Sequence, residues 1–173
     1  MLTLIPINRK KKERHHIMTK KRFLYILGGL LALVLLIQLV PYGRNHSNPP
    51  VVQELNWDSA QTQALAERAC YDCHSNQTVW PWYSNIAPVS WLIQRDVNEG
   101  RSILNFSEAN RPQEGLEEAG EVIQSGEMPP TYYVWLHPNA NLSAAERSQL
   151  IQGLTASAGG QMEGGNEAGE AGE

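Results

Sequence analysis

The sequence predicts an all-α domain of about four short helices joined by long Pro-rich loops and carried behind one N-terminal apolar helix. Three observations predict it. No stretch alternates apolar and polar residues at the period of two that a half-buried strand needs. Four segments after Leu55 repeat apolar residues at helical spacing between recognisable start and stop residues. Residues 23–40 carry no charge over 18 positions, close to the ~20 that cross a hydrocarbon layer.

Taken in order, residues 1–22 hold eight Lys or Arg against one acid, Glu13, and read as a basic cytoplasmic segment. Residues 23–40 read as a transmembrane anchor. The run exceeds the ~7–15 apolar residues of a cleaved signal, and no small-residue cleavage site follows it. The basic cluster lies before this run and only Arg44 lies close after it. A single pass with the N-terminus cytoplasmic and everything from Pro41 onward outside the cytoplasm follows from that asymmetry. Met18 is a second candidate start.

Residues 41–54, with Pro49 and Pro50, read as a short stiff linker, and the domain proper spans residues 55–155. Its first helix has Asp58 as N-cap with Gln61 three residues on, and Ala64, Leu65 and Ala69 on one side as it runs into Cys70. The second is framed by Pro88 and Gly100, with Val89, Leu92, Ile93 and Val97 as its buried stripe. The third lies between Pro112 and Gly126 and turns Leu116, Ala119 and Ile123 inward. The fourth opens on a Ser143/Glu146 capping box and buries Leu150, Ile151 and Leu154. Residues 156–173, rich in Gly, Ala and Glu, read as a disordered acidic tail.

From Pro41 onward six Arg and no Lys stand against 17 Asp or Glu, a balance of −11. That charge argues against nucleic acid as a partner. It favours proteins with basic docking faces.

The residues that carry chemistry are Cys70-Tyr71-Asp72-Cys73-His74, a C-x-x-C-H haem-attachment signature. Two thiols three residues apart at a helix end can add across the two vinyl groups of one porphyrin edge, and the adjacent His74 then offers its imidazole to the iron as proximal ligand. Three other uses of a cysteine pair compete: a disulfide, natural in an oxidising compartment; a thioredoxin-like redox pair, which wants a βαβ neighbourhood not found here; and half of a zinc site, for which no second Cys/His pair stands at ligand spacing.

A haem used for electron transfer is usually six-coordinate, and a thioether ligand raises its potential. Met128, in Gly126-Glu127-Met128-Pro129-Pro130, is presented by a loop that the prolines stiffen, and is the candidate distal ligand. His137, in Leu136-His137-Pro138, is the alternative. Met162 lies in the tail. Trp82, Tyr83 and Arg95 are candidates for the walls of a haem pocket and for holding the propionates, with Arg101 as a second guanidinium.

On these residues the segment from Cys70 to Glu146, with SGEMPP and LHPNANLSAAE in its second half, resembles the bacterial haem-binding-domain family, single-haem modules related to cytochromes c. The resemblance implies a small cytochrome c-like fold, one covalent haem c, His74 as proximal and Met128 as distal ligand, export, and a membrane anchor. It places the chain in a bacterial inner membrane with a periplasmic haem domain. Two filled axial positions would leave no site for a substrate and the acidic outer chain suits transient docking, so the expected function is one-electron transfer between redox proteins, with no bond-making catalysis. A haem-based redox or gas sensor, or a peroxidase-associated subunit, is the alternative, and a non-haem disulfide protein the second.

Overall fold

The computed structural model describes the backbone of residues 9–170 and the side chains of residues 19–159. Expectations for residues 1–8 and 171–173, and for the side chains of the first basic cluster and of Met162, lie outside the described residues.

Among the described residues the chain is all-helical, as its periodicity predicts. It contains α1 (Arg9–Ile37), α2 (Ala60–Ala69), α3 (Tyr71–His74), α4 (Val89–Ile103), α5 (Glu114–Ser125), α6 (Thr131–Leu136) and α7 (Ala144–Glu170), with 3-10 turns at Trp82–Asn85 and Pro138–Ala140. The only extended pairing among them is a parallel bridge between Gln53 and Glu108.

The four expected helices correspond to α2, α4, α5 and α7, with differences that have local causes. α2 is capped by Ser59, whose Oγ accepts the Thr62 N–H at 3.2 Å, one residue later than the expected Asp58. The Asp58 N–H is instead donated to Ser157 Oγ at 3.0 Å. α4 runs past Gly100 to Ile103 because that glycine is the point where the helix touches the C-x-x-C-H turn, described below. α5 ends at Gly126 in the left-handed conformation (φ 81°). The capping box of α7 is reciprocal: Ser143 N–H donates to Glu146 Oε2 (2.8 Å) and Glu146 N–H to Ser143 Oγ (3.2 Å).

α7 packs on α5 and α2. Between them lie Leu65, Leu116, Ile123, Leu150 and Leu154, all buried, and the cluster continues through Tyr71 and Phe106 to the C-x-x-C-H turn. α7 crosses the expected start of the tail without a break, since Ser157 and Ala158 are buried against this core. On α4 only Val97 of the expected stripe is fully buried, and Val89 and Leu92 are exposed.

α1 stands apart from that core, with large apolar side chains exposed from Phe23 to Leu36. Its helical part stops at Ile37, where Gln38, Leu39 and Val40 donate to carbonyls three residues back, and Lys20, Lys21 and Arg22 precede the apolar run. Among the described residues no helix is long and apolar enough to cross a membrane.

The segment read as a linker is hydrogen-bonded to the domain along its length. Leu55 N–H donates to Phe106 O at 2.9 Å and Val52 N–H to Ser107 O at 3.0 Å. The Asn48 side chain donates to Thr78 O (2.9 Å) and accepts from Trp80 Nε1 (3.1 Å). His46 stacks on Trp80 with ring centroids 4.8 Å apart.

Candidate functional site

α2 does not run through the motif. Cys70 N–H closes it onto Ala66 O (2.8 Å), and the Cys70 carbonyl then accepts Cys73 N–H (3.1 Å) and His74 N–H (2.9 Å), so the motif forms its own short turn, α3. Both thiols are free. Burial pushes Cys70 up from 9.0 to about 12, with the nearby Cys73 adding to it. Burial likewise pushes Cys73 up to about 12, helped by the carboxylates of Asp96 and Asp72. The pair is therefore held as neutral thiols at neutral pH.

His74 is fixed from behind. Its Nδ1 lies 3.1 Å from the Leu104 carbonyl, which makes Nδ1 the protonated nitrogen and turns the Nε2 lone pair to the other side of the ring. Burial lowers its pKa below the ordinary 6.5, against the opposing pull of the Leu104 and Gly100 carbonyls. A neutral imidazole with one nitrogen anchored on a carbonyl is the form a metal binds.

α4 presses directly on this turn. A Cβ on Gly100 would stand 2.4 Å from the Cys73 carbonyl oxygen, so only glycine permits the approach. The next residue, Arg101, ties the motif's exit to the leading segment. Its Nε donates to Ser75 O (2.8 Å), Nη1 to Ser47 O (3.0 Å) and Nη2 to Asn48 Oδ1 and Thr78 Oγ1 (both 2.9 Å). It is thus engaged with two backbone oxygens, one amide oxygen and one hydroxyl.

α6 has no buried residue, yet two tyrosines hold it, one to the motif and one to α4. Tyr133 Oη donates to Asp72 Oδ2 at 2.8 Å, and Tyr132 Oη to Asp96 Oδ2 at 2.9 Å. Burial, followed by Asp72, raises the Tyr133 pKa, and Tyr132 is pushed up to about 12 by burial and its Asp96 bond. Both phenols remain donors across the neutral range.

Of the predicted residues, the structure brings Cys70, Cys73 and His74 together in one turn, Cys70 as the N-cap of α3 and the other two within it. Met128 lies at the entry of α6. Its N–H donates to Val122 O at 3.1 Å and its side chain, 39% exposed, lines a recess of about 170 Å³ with Pro129, Trp135 and Arg147. The recess does not include the C-x-x-C-H residues and is smaller than the ~300 Å³ at which ligand clefts begin.

His137 has both ring nitrogens engaged, Nδ1 with Tyr133 O (3.0 Å) and Nε2 with Tyr83 Oη (3.3 Å), and it stacks on Tyr133 at 4.1 Å. Tyr83 is thus connected to α6 through His137. Trp82 is largely exposed, and Arg95 is paired with Glu99 at 2.9 Å on an exposed face.

Sequence reasoning missed Asp72, Asp96 and Gly100 as parts of the site. An aspartate between the two cysteines gives no spacing signal. Gly100 has one, since a glycine inside a helical pattern marks a close approach of backbone.

The fold and site define an all-helical domain that presents two neutral thiols one turn apart beside a half-buried, neutral and oriented imidazole. That donor set fits haem. It does not fit a multi-ligand metal centre, since among the described residues no group of three or more His, Cys, Asp or Glu is placed to hold an ion. The model of the haem-binding domain family matches residues 32–156, and the chain belongs to that family. No curated protein and no solved structure matches the chain.

Proposed function

We propose that the chain is a membrane-anchored, extracytoplasmic c-type haem protein that carries single electrons, with one haem joined to Cys70 and Cys73 and its iron held by His74 and Met128. The observation that carries this reading is the His74 Nδ1 contact with the Leu104 carbonyl, beside two thiols that are free to form thioethers. When bound, haem supplies a one-electron couple between ferric and ferrous iron.

The chain's own residues do the rest. His74 offers Nε2 as a neutral ligand. Cys70 and Cys73 would hold the group covalently, each S–H adding across one vinyl group so that sulfur bonds to one carbon and the proton passes to its neighbour. Met128 is favoured over His137 because it stands on a stiff segment with its thioether uncommitted, whereas using His137 Nε2 costs its bond to Tyr83. Were His74 and Met128 both to hold the iron, no coordination position would be left for a substrate, which favours a carrier over a peroxidase or gas sensor. The acidic outer chain suits transient docking to proteins with basic faces.

The anchor reading rests on the uncharged run of residues 23–40 behind a basic cluster. α1 supplies its helical part and exposes apolar side chains on all sides, though its described residues are not by themselves long and apolar enough to cross. The turn at Gln38, Leu39 and Val40 completes the run. With the basic cluster on the cytoplasmic side, the haem domain would lie outside the cytoplasm of a bacterial inner membrane.

The test is to express the full chain with a haem-attachment system, stain a denaturing gel for haem, and weigh the mature chain. Wild type is expected to stain and to carry the added mass of one haem, and Cys70→Ala/Cys73→Ala to carry none. A mature wild-type chain without that mass overturns the reading and leaves a cystine bridge in its place.

A further inference from the structure

The end of α1 is not joined to the domain by a free tether. Gln38 lies within the uncharged run, and its side-chain amide forms a two-way pair with the Ala87 backbone: Ala87 N–H donates to Oε1 at 3.0 Å and Nε2 donates to Ala87 O at 2.8 Å. Arg44 Nη2 donates to the same Oε1 at 3.0 Å. Just beyond, a Cβ on Gly43 (φ +77°) would fall 2.1 Å from Ser90 O, so the turn after the helix touches the start of α4 backbone to backbone. Ala87 therefore sits at the depth of Gln38 whatever the tilt of α1.

The residues around this junction are unusual for so acidic a chain. Trp82 is 76% exposed, Tyr42 48%, Ile86 43% and Val89 37%. Neither residues 41–53 nor residues 73–95 contain an Asp or Glu, although the chain from Pro41 onward has 17. A face with exposed indole, phenol and aliphatic groups and no carboxylate is matched to the headgroup region of a bilayer, where Trp and Tyr concentrate and acids are repelled by anionic lipids.

We propose that the face formed by Tyr42, Trp82, Ile86 and Val89 lies in the headgroup layer of the same membrane that receives α1, so that the haem domain rests on the bilayer in one fixed orientation. This rests on the anchor reading. The occupant is phospholipid because the face is hydrogen-bonded to the very segment that enters the bilayer.

The experiment incorporates the full chain, haem-loaded, into nanodiscs of mixed zwitterionic and anionic phospholipid containing a phospholipid with a photoactivatable diazirine near its headgroup. Adducts are then mapped by peptide mass spectrometry. Adducts are expected on α1 and on residues 82–89, and not on residues 144–159 of α7, which packs on α5 and α2. In Ile86→Glu the adducts on residues 82–89 are expected to fall several-fold while those on α1 persist. Adducts on α1 with none on residues 82–89 overturn the inference and leave the anchor standing, the face then being one for a protein partner. A chain that leaves α1 unlabelled overturns the anchor and this inference together.

Discussion

Tyr133 Oη donates to Asp72 Oδ2 at 2.8 Å, so the residue between the two cysteines holds the helix that follows Met128. With no buried residue of its own, α6 depends on this bond and on the Tyr132–Asp96 bond for its position. Tyr133→Phe is expected to lower the unfolding free energy by about 1–2 kcal/mol, the worth of a hydrogen bond to a charged acceptor at a half-buried site. It is also expected to weaken the distal side of the haem. Denaturant unfolding of the haem-loaded protein checks the first, and the fraction of high-spin iron in its visible spectrum the second.

Gly100→Ala places a methyl 2.4 Å from the Cys73 carbonyl oxygen. Neither partner is the free end of a side chain, so α4 or α3 must move. A loss of about 1–3 kcal/mol is expected, with a matching fall in covalent haem on a stained gel. An unchanged Tm and full staining would contradict the packing described.

Met128 and His137 separate by spectrum. Met128→Ala is expected to convert ferric iron from low to high spin. His137→Ala is expected to leave the spin state as it is and to cost stability only, through the lost Tyr83 bond and Tyr133 stacking.

The haem-free protein should have a stability plateau bounded on both sides by the C-x-x-C-H residues. His74 has a folded pKa below its ordinary 6.5, so the unfolded state binds more protons as pH falls through 6.5 and stability drops on the acid side. Cys70 and Cys73 are raised from 9.0 to about 12, so above pH 9 the unfolded chain releases protons that the folded chain keeps, and stability falls as pH rises. Thermal unfolding against pH is expected to show a Tm plateau between these limits. In Cys70→Ala/Cys73→Ala the fall that begins near pH 9 is expected to disappear, leaving only the later fall that the raised phenols of Tyr132 and Tyr133 set above their ordinary 10.0.

Ser143→Ala removes the side-chain acceptor of Glu146 N–H at the start of the helix that closes the core, and should cost about 1 kcal/mol. Equilibrium unfolding measures it.

Much of the helical plan was legible from sequence because it rests on local rules. The Ser143/Glu146 box and the Gly126 stop appear where the residue types put them, and Leu116, Ala119 and Ile123 are buried as their spacing requires. The ligand-bearing turn was legible because its three residues are contiguous. What could not be read is what depends on tertiary placement. Nothing around position 104 indicates that its carbonyl will orient His74, and no pattern links Tyr133 to an aspartate 61 positions earlier. Arg95 and Arg101 are equivalent to periodicity reasoning, yet one is spent on an exposed i,i+4 pair and the other on four oxygens around the motif. Val89 and Leu92 fit a helical stripe but remain exposed.

Arg101 joins Ser47 and Asn48 to Ser75 and Thr78, which bears on where the chain can be cut. A water-soluble version begun at Leu55, where the regular helices take over, would discard two of that guanidinium's acceptors along with the Val52 and Asn48 bonds. Starting at Gln38, the first residue after the helical part of α1, would keep them, and that is the boundary at which a haem domain freed of that helix should still fold.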